Sequence, residues 1–399
     1  MTGTPHYLAL DVGAVTTRIA VGGTRSRLVS GDTPRGSVRD NVLAALRMAP
    51  RPADEICVVL PDTWFSGSVP EARRLEEVRE ACEGEPIVWA GQLAAVAAWH
   101  GRNRAPGRYL VCDIGYGGVR VGSFFVTEVT DGTEVTDGTG GTVRTETVLS
   151  QDGGGRDFDQ AVRAVAGGDA LPGDWHDQAK AQGEWATQIF QNAATSPDHA
   201  DDRAYKLEGR PAPVRLTARQ LMACFAPARE RLAAGVSAAL GAGPPDTVVL
   251  AGGLAWFPLA VLAVRDLVEP DPVVGDASDA ARGALLFARG EMSPALPAGL
   301  ETVSLPMNRV RGGSLEQESL KLSWTEPFAS PPEGMPPLDR EELVLEVSGR
   351  YRTVRLPGLV PGPHRIGLRP GWSGPGVLVV RPASGGRAHV VSLDPAIAP

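Results

Sequence analysis

The feature that most constrains this chain is a unit that it begins twice. "YLALDVGAVTTRIAV" (7–21) and "YLVCDIGYGGVRVG" (109–122) each run an apolar strand into an aspartate, turn on glycine and return as a second strand. Unbroken apolar character marks strands covered on both faces, as in α/β sheets. A strand–glycine turn–strand unit that ends on an acid brings backbone amides and a carboxylate close together, a layout suited to phosphate or a cation. Asp11 and Asp113 are therefore the candidate catalytic or cation-holding residues, with general-base work open to either. The competing reading is that both are solvated turn residues.

A chain of 399 residues is expected to hold two or three domains. With a net charge of −8 and no basic stripe, it is a poor nucleic-acid binder. No apolar run approaches the ~18 residues of a membrane span. The start, "MTGTPHYLALDVG", lacks the basic and apolar regions of a secretory signal. Cys57, Cys82, Cys112 and Cys224 are scattered through apolar runs. That suits reduced, buried thiols in a cytoplasmic protein, and neither they nor the histidines show metal-ligand spacing. The lysines are Lys180, Lys206 and Lys321 alone, so chemistry that needs a lysine in the first 179 residues is excluded.

Between the two units lie an amphipathic helix ("SVRDNVLAALRM"), a buried strand ("EICVVLP"), a helix ("SVPEARRLEEVREACEG") and a strand followed by an Ala-rich helix ("PIVWAGQLAAVAAWHG"). "EVTDGTEVTDGT" (128–139) repeats itself and reads as a lengthened β-hairpin. Helix is expected after the glycine loop of "GGGRDFDQAVRAV", around 176–192, and over "TARQLMACFAPARERLAAGVSAALG", which Thr217 caps. "DTVVLAGGLAWFPLAVLAVRDLV" reads as strand, Gly-Gly turn and helix, and "DASDAARGALLFARG" as another helix. Residues 293–340 are Pro-rich and read as a linker. Short alternating segments from "ELVLEVSG" onward form a small all-β module.

Taken in order, these segments resemble the DnaK-type heat-shock chaperone ATPases of the actin-like superfamily over about residues 6–290. "LALDVGAVTTRIAV" and "VCDIGYGGVRVG" are similar to their two phosphate loops, "AGQLAAVAAWHG" to the helix that links the lobes, and "GGGRDFDQAV" to the start of the second lobe. "VVLAGGLAWFPLAV" resembles their adenosine loop and "SDAARGALLFA" their last helix. The resemblance implies a two-lobed actin-like (ribonuclease-H-like) α/β fold with lobe I over 1–125 and lobe II over 126–292. The linker at 293–340 and the β module at 341–399 follow. It also implies ATP as the ligand.

The chain departs from that pattern where the chemistry sits. Ala14 and Val15 precede Thr16 where the family has a hydroxyl run, and the extra subdomain that carries a catalytic lysine is cut to about Ser30–Glu55. Gln92 stands for a glutamate, Gly118 and Arg120 for a threonine and an aspartate, and Leu254 and Trp256 for a serine and an arginine. Arg156 replaces an acid. Along the adenine-contacting helix Glu184 is kept, and Thr187, Gln188 and Gln191 replace basic and hydroxyl residues. Phosphoryl transfer rests on positioning and cationic stabilisation. Each lost donor of that kind is worth roughly 3–4 kcal/mol of barrier, so ATP binding is expected to be weakened and turnover to be lost.

The ligand-binding candidates are Gly13, Thr16, Gly115, Gly117, Gly118, Arg120, Arg156, Gly252, Gly253 and Trp256. Each glycine is equally explained by a tight turn. Arg120 is read as a surface-facing arginine or an ion pair to Asp11 that ties the lobes together, or else as an anion site that Arg156 joins. Trp256 is read as filler of a vacated pocket or as the wall of a new one. The function expected is a degenerate DnaK-like scaffold or catalytic subunit that works with a partner protein on an anionic small molecule. The alternative is a divergent ATP-binding chaperone with little hydrolysis. The family's short apolar acidic linker to its peptide-binding domain and its helical lid are not recognisable after residue 291.

Overall fold

The computed structural model describes residues 6–13, 15–22, 27–32, 37–49, 55–65, 69–82, 87–102, 104–127, 141–209, 212–294, 303–311, 314–322, 338–347, 349–369, 377–384 and 388–393. The hairpin expected at 128–139 lies outside them, as does Ala14. The chain divides into two compact units, one of residues 1–12, 17–94 and 284–399, the other of 13–16 and 95–283. One division therefore falls inside a helix near residue 94. The strands on either side of residue 113 explain this, because they pair within the second unit's sheet.

The first unit builds its sheet from β1 (Tyr7–Val12), β2 (Thr16–Gly22), β3 (Arg27–Asp32), β4 (Glu55–Leu60) and β5 (Ile87–Gly91), in the order β3-β2-β1-β4-β5. β1 is antiparallel to β2 and parallel to β4, and β4 is parallel to β5. α1 (Val38–Met48) and α2 (Val69–Ala81) supply the crossovers, and α3 (Gln92–Gly101) leaves β5 directly. Ser37 starts α1 with a capping box: its hydroxyl accepts from the Asp40 amide while the Asp40 carboxylate accepts from the Ser37 amide.

The second unit repeats this wiring. Its strands are β6 (Gly107–Ile114), β7 (Gly118–Val126), β8 (Gly141–Asp152), a ribbon of β9 (Arg203–Leu207) and β10 (Val214–Thr217), β11 (Thr247–Ala251) and β12 (Val273–Val274). The strands of this unit run in the order β12-β11-β6-β7-β8, with β6 antiparallel to β7 and parallel to β11, and β11 parallel to β12. Element for element this is the order of the first sheet, so the unit begun twice in sequence is completed twice in space.

The helices of this half are α4 (Gly155–Ala166), α5 (Trp175–Lys180), α6 (Gly183–Thr195), α7 (Ala218–Ala239) and α8 (Pro258–Arg265), and another division falls inside α9 (Asp279–Ala288). Thr217 caps α7 as expected, in a second capping box with Gln220. The single helix expected around 176–192 is two helices that break at 181–182. Phe158, Trp175, Phe190, Tyr205, Phe225 and Phe257 form the aromatic centre of this unit's core.

β13 (Met292–Pro294) leads into the C-terminal module. β14 (Val303–Arg311) and β15 (Ser314–Leu322) form a hairpin inside the segment expected as a linker. Alternation explains it, since Val303, Leu305 and Leu322 face the module's core. β16 (Glu342–Val347) and β17 (Arg350–Arg355) complete the sheet β15-β14-β16-β17, and β18 (His364–Arg369), β19 (Val377–Pro382) and β20 (His389–Ser392) make a second. One apolar cluster is shared by the two sheets. β20 also packs on α2 of the same unit, where Arg381 pairs with Glu80 at 3.7 Å. Among the described residues no helix is long and apolar enough to cross a membrane.

Candidate functional site

In parallel α/β sheets ligands gather at the carboxyl ends of the strands. Both aspartates sit there, Asp11 near the end of β1 and Asp113 near the end of β6, and both are buried. Register decides what each one meets. The turn 13–16 sets Asp11 directly opposite Arg18, and the turn after Ile114 sets Asp113 directly opposite Arg120. Residues directly opposed across antiparallel strands share a face, so each acid lies beside an arginine seven positions later.

In the second unit the pair is in contact: the Arg120 guanidinium meets the Asp113 carboxylate, with side-chain exposures of 18% and 5%. Val119 and Val121 point the other way into the core, as alternation requires. In the first unit Arg18 stands 3.8 Å from Asp11, and the Gln92 amide donates to Asp11 at 3.0 Å. Sequence reasoning missed Arg18. The signal for it was present, because the Asp-to-Arg spacing is the same in both units.

The glycines hold backbone against backbone. The Gly13 amide donates to the Thr16 carbonyl at 3.1 Å, which closes the first turn. The Gly115 amide donates to Gly118 O at 2.9 Å, and the amides of Gly153, Gly155 and Arg156 donate to the carbonyls of Gly117, Gly115 and Tyr116 at 3.1, 2.9 and 2.9 Å. A Cβ at Gly118 would lie 2.5 Å from Gln151 O, and one at Gly154 would fall on Gly115 O. These five amides thus serve the turns themselves. Gly252, at φ +93°, closes over the acid, because a Cβ there would fall on Asp113 Oδ1. A Cβ at Gly253 would meet nothing within 4 Å.

Arg156 is exposed and lies 3.8 Å from the carboxylate of Asp157, which Arg231 approaches to 3.7 Å. The two arginines read as sharing an anion are each set beside a different carboxylate. Leu254 is buried. Trp256 is half-buried against His176 and Phe257, with ring centroids 5.7 and 5.6 Å away, and the Lys180 ammonium stands 5.4 Å over its ring. On α6, Thr187 donates to Gly183 O and Gln188 to Asn192, so both are engaged along the helix. Cys112, between the core and Asp113, has its thiol pushed up to about 12 by burial and then by the neighbouring charge.

Asp62 is a second residue that sequence reasoning passed over. Its buried carboxylate accepts the Leu93 and Ala94 amides at 2.6 and 3.0 Å and so caps α3, the helix that presents Gln92 to Asp11. Gly91 leaves room for it, since a Cβ there would fall on Asp62 Oδ1.

A magnesium nucleotide, as the resemblance implies, needs acids free to face a cation. Asp113 instead faces a guanidinium, and among the described residues no group of three or more His, Cys, Asp or Glu side chains is placed to hold a metal. At Asp113, therefore, the side a cation would approach is held by the Arg120 guanidinium.

No protein-family model matches the chain, and no curated protein matches it in sequence. Among solved structures it is similar to the ethanolamine utilization protein EutJ from Carboxydothermus hydrogenoformans, at 14% identity and a TM-score of 0.41, over 71% of this chain and 90% of that one. It is also similar to MreB5 of Spiroplasma citri bound to ADP, at 14% identity and a TM-score of 0.48, over 72% of this chain and 97% of that one. The same MreB5 bound to AMPPNP matches at 14% identity and 0.48, over 72% and 96%. Likenesses at that level carry no weight for ligand or activity. The class of fold, two α/β halves of the same strand order with a C-terminal all-β module, rests on the twice-repeated strand order.

Proposed function

We propose that the chain is a degenerate DnaK-like protein that keeps the actin-like frame and has given up ATP turnover, and that it serves as a scaffold subunit for a partner protein. One observation carries this reading: each repeated unit sets an arginine directly across the hairpin from its aspartate, Arg18 to Asp11 and Arg120 to Asp113. A guanidinium placed there supplies the positive charge that a divalent ion brings in phosphoryl transfer, but it cannot exchange ligands or bridge phosphate oxygens. The amides of Gly13 and Gly115 support the same reading, since each is bound to a carbonyl of its own turn and is not offered to a phosphate. Arg120 and Arg156 each lie beside a carboxylate, which favours the scaffold over the anion-processing subunit.

Calorimetric titration with ATP·Mg²⁺ tests it. The expected result is no saturable heat at micromolar nucleotide and no upward shift of melting temperature at millimolar nucleotide. Micromolar binding that needs Mg²⁺ would return the chain to the nucleotide-dependent chaperones.

A further inference from the structure

The place where the C-terminal module meets α2, all within the first unit, encloses an open cavity of about 640 Å³. That lies inside the range of sites that take a drug-sized molecule or a few residues of peptide. Two kinds of surface line it. Pro357, Val360 and Pro382 give an apolar wall, and Val360 is 68% exposed although it is a large apolar side chain. Arg73, from α2, and His389, from β20, give a cationic and hydrogen-bonding side.

The cations around it differ in their engagement. On the same helix Arg74 lies over the Trp64 ring at 5.7 Å, and at the helix end Glu80 takes Arg381. Arg73 makes no ion pair among the described residues, although its side chain is exposed and lines the cavity. Acids are in excess in this protein, with a net charge of −8, and in such a chain an arginine without a carboxylate beside an exposed apolar wall is complementary to an acidic, partly apolar ligand.

We propose that this cavity is the docking site for an acidic segment of a partner protein. A carboxylate of that segment pairs with Arg73, and a neighbouring aliphatic side chain covers Val360 and Pro357. The proposal rests on the scaffold reading for its choice of a protein as occupant, and it uses none of the residues around Asp11 or Asp113. It places the partner on α2 and the small β module, which the pair of Arg381 and Glu80 joins.

The test is fluorescence anisotropy with labelled octapeptides that carry one glutamate or aspartate flanked by leucine and valine. Matched peptides with lysine in place of the acid, and free glutarate as competitor, complete the set. Acidic peptides should bind at least tenfold tighter than their lysine counterparts. R73E should weaken them at least tenfold, and V360D should do so as well. Melting curves of both variants should stay within about 2 °C of the parent, which separates lost binding from lost folding. Glutarate should not compete at millimolar concentration. Equal binding of acidic and lysine peptides, indifference to R73E, or full competition by glutarate would each overturn the proposal, the last by making the cavity a small-carboxylate site. None of these outcomes touches ATP binding, so the nucleotide titration reports separately on the parent reading.

Discussion

Replacing Arg120 by methionine keeps an unbranched side chain and removes the guanidinium, with its charge and its N–H donors. Asp113 would then remain buried, with its carboxylate opposite an apolar chain and Gly252 closed over its other side. Removing one partner of a buried pair costs about 3–5 kcal/mol. Because Arg120 keeps 18% exposure, which lets water approach, the lower end, about 3 kcal/mol, is expected. In a unit of this size each kcal/mol shifts the melting temperature by about 2–4 °C, so R120M should melt roughly 6–12 °C lower. D113N should also destabilise, because the guanidinium loses its counter-charge. The double variant R120M/D113N should lose clearly less than the sum of the two, with a coupling of at least ~1.5 kcal/mol. Circular dichroism melts and urea midpoints on the four proteins give the numbers. If R120M melts within 2 °C of the parent, or if the two losses simply add, Arg120 does not neutralise Asp113 and the closed-site reasoning fails.

Other outcomes follow from the same geometry. R18M should cost less than R120M, about 1 kcal/mol, since Arg18 stands 3.8 Å from Asp11 and Gln92 still donates to the acid; urea midpoints check this. G252A forces a side chain into φ +93° and onto Asp113, so a loss of at least ~2 kcal/mol is expected in the same assay, with G253A close to neutral. D62A removes the cap of α3 and strands two amides, for an expected loss of about 1–2 kcal/mol that D62N partly recovers. Cys112 should resist thiol reagents at pH 8 until the protein is unfolded. With its folded pKa near 12 and its ordinary value near 9, its contribution to stability is full below about pH 9 and falls away as pH rises toward 12. A C112A variant should therefore lose less stability between pH 9 and 11 than the parent does.

The repeated unit, the glycine turns, the Thr217 cap and the strand-rich C-terminal module are all legible in the sequence, because each depends on local periodicity or local chemistry. What a residue meets across a sheet is not local. Arg120 can be placed opposite Val119 by alternation, but its meeting with Asp113 depends on the turn length that sets register. The same holds for Arg18, whose role shows only when the two hairpins are aligned on their aspartates. Asp62 caps a helix that begins thirty residues later in sequence, so no capping pattern reveals it. The hairpin of β14 and β15 was hidden by the prolines on either side of it, and the break between α5 and α6 by a helical period that runs on past Gly183. The division of the chain inside α3 follows from long-range strand pairing of β6 with β11.

The central claim is that the two nucleotide-type loops are closed by arginines and do not turn over ATP. Phosphate release from ATP by the purified protein, measured with and without Mg²⁺ and compared with D11N and D113N, tests it most directly. The account predicts no Mg²⁺-dependent release above the buffer background and no difference among the three proteins. Mg²⁺-dependent release that D11N or D113N abolishes would contradict it.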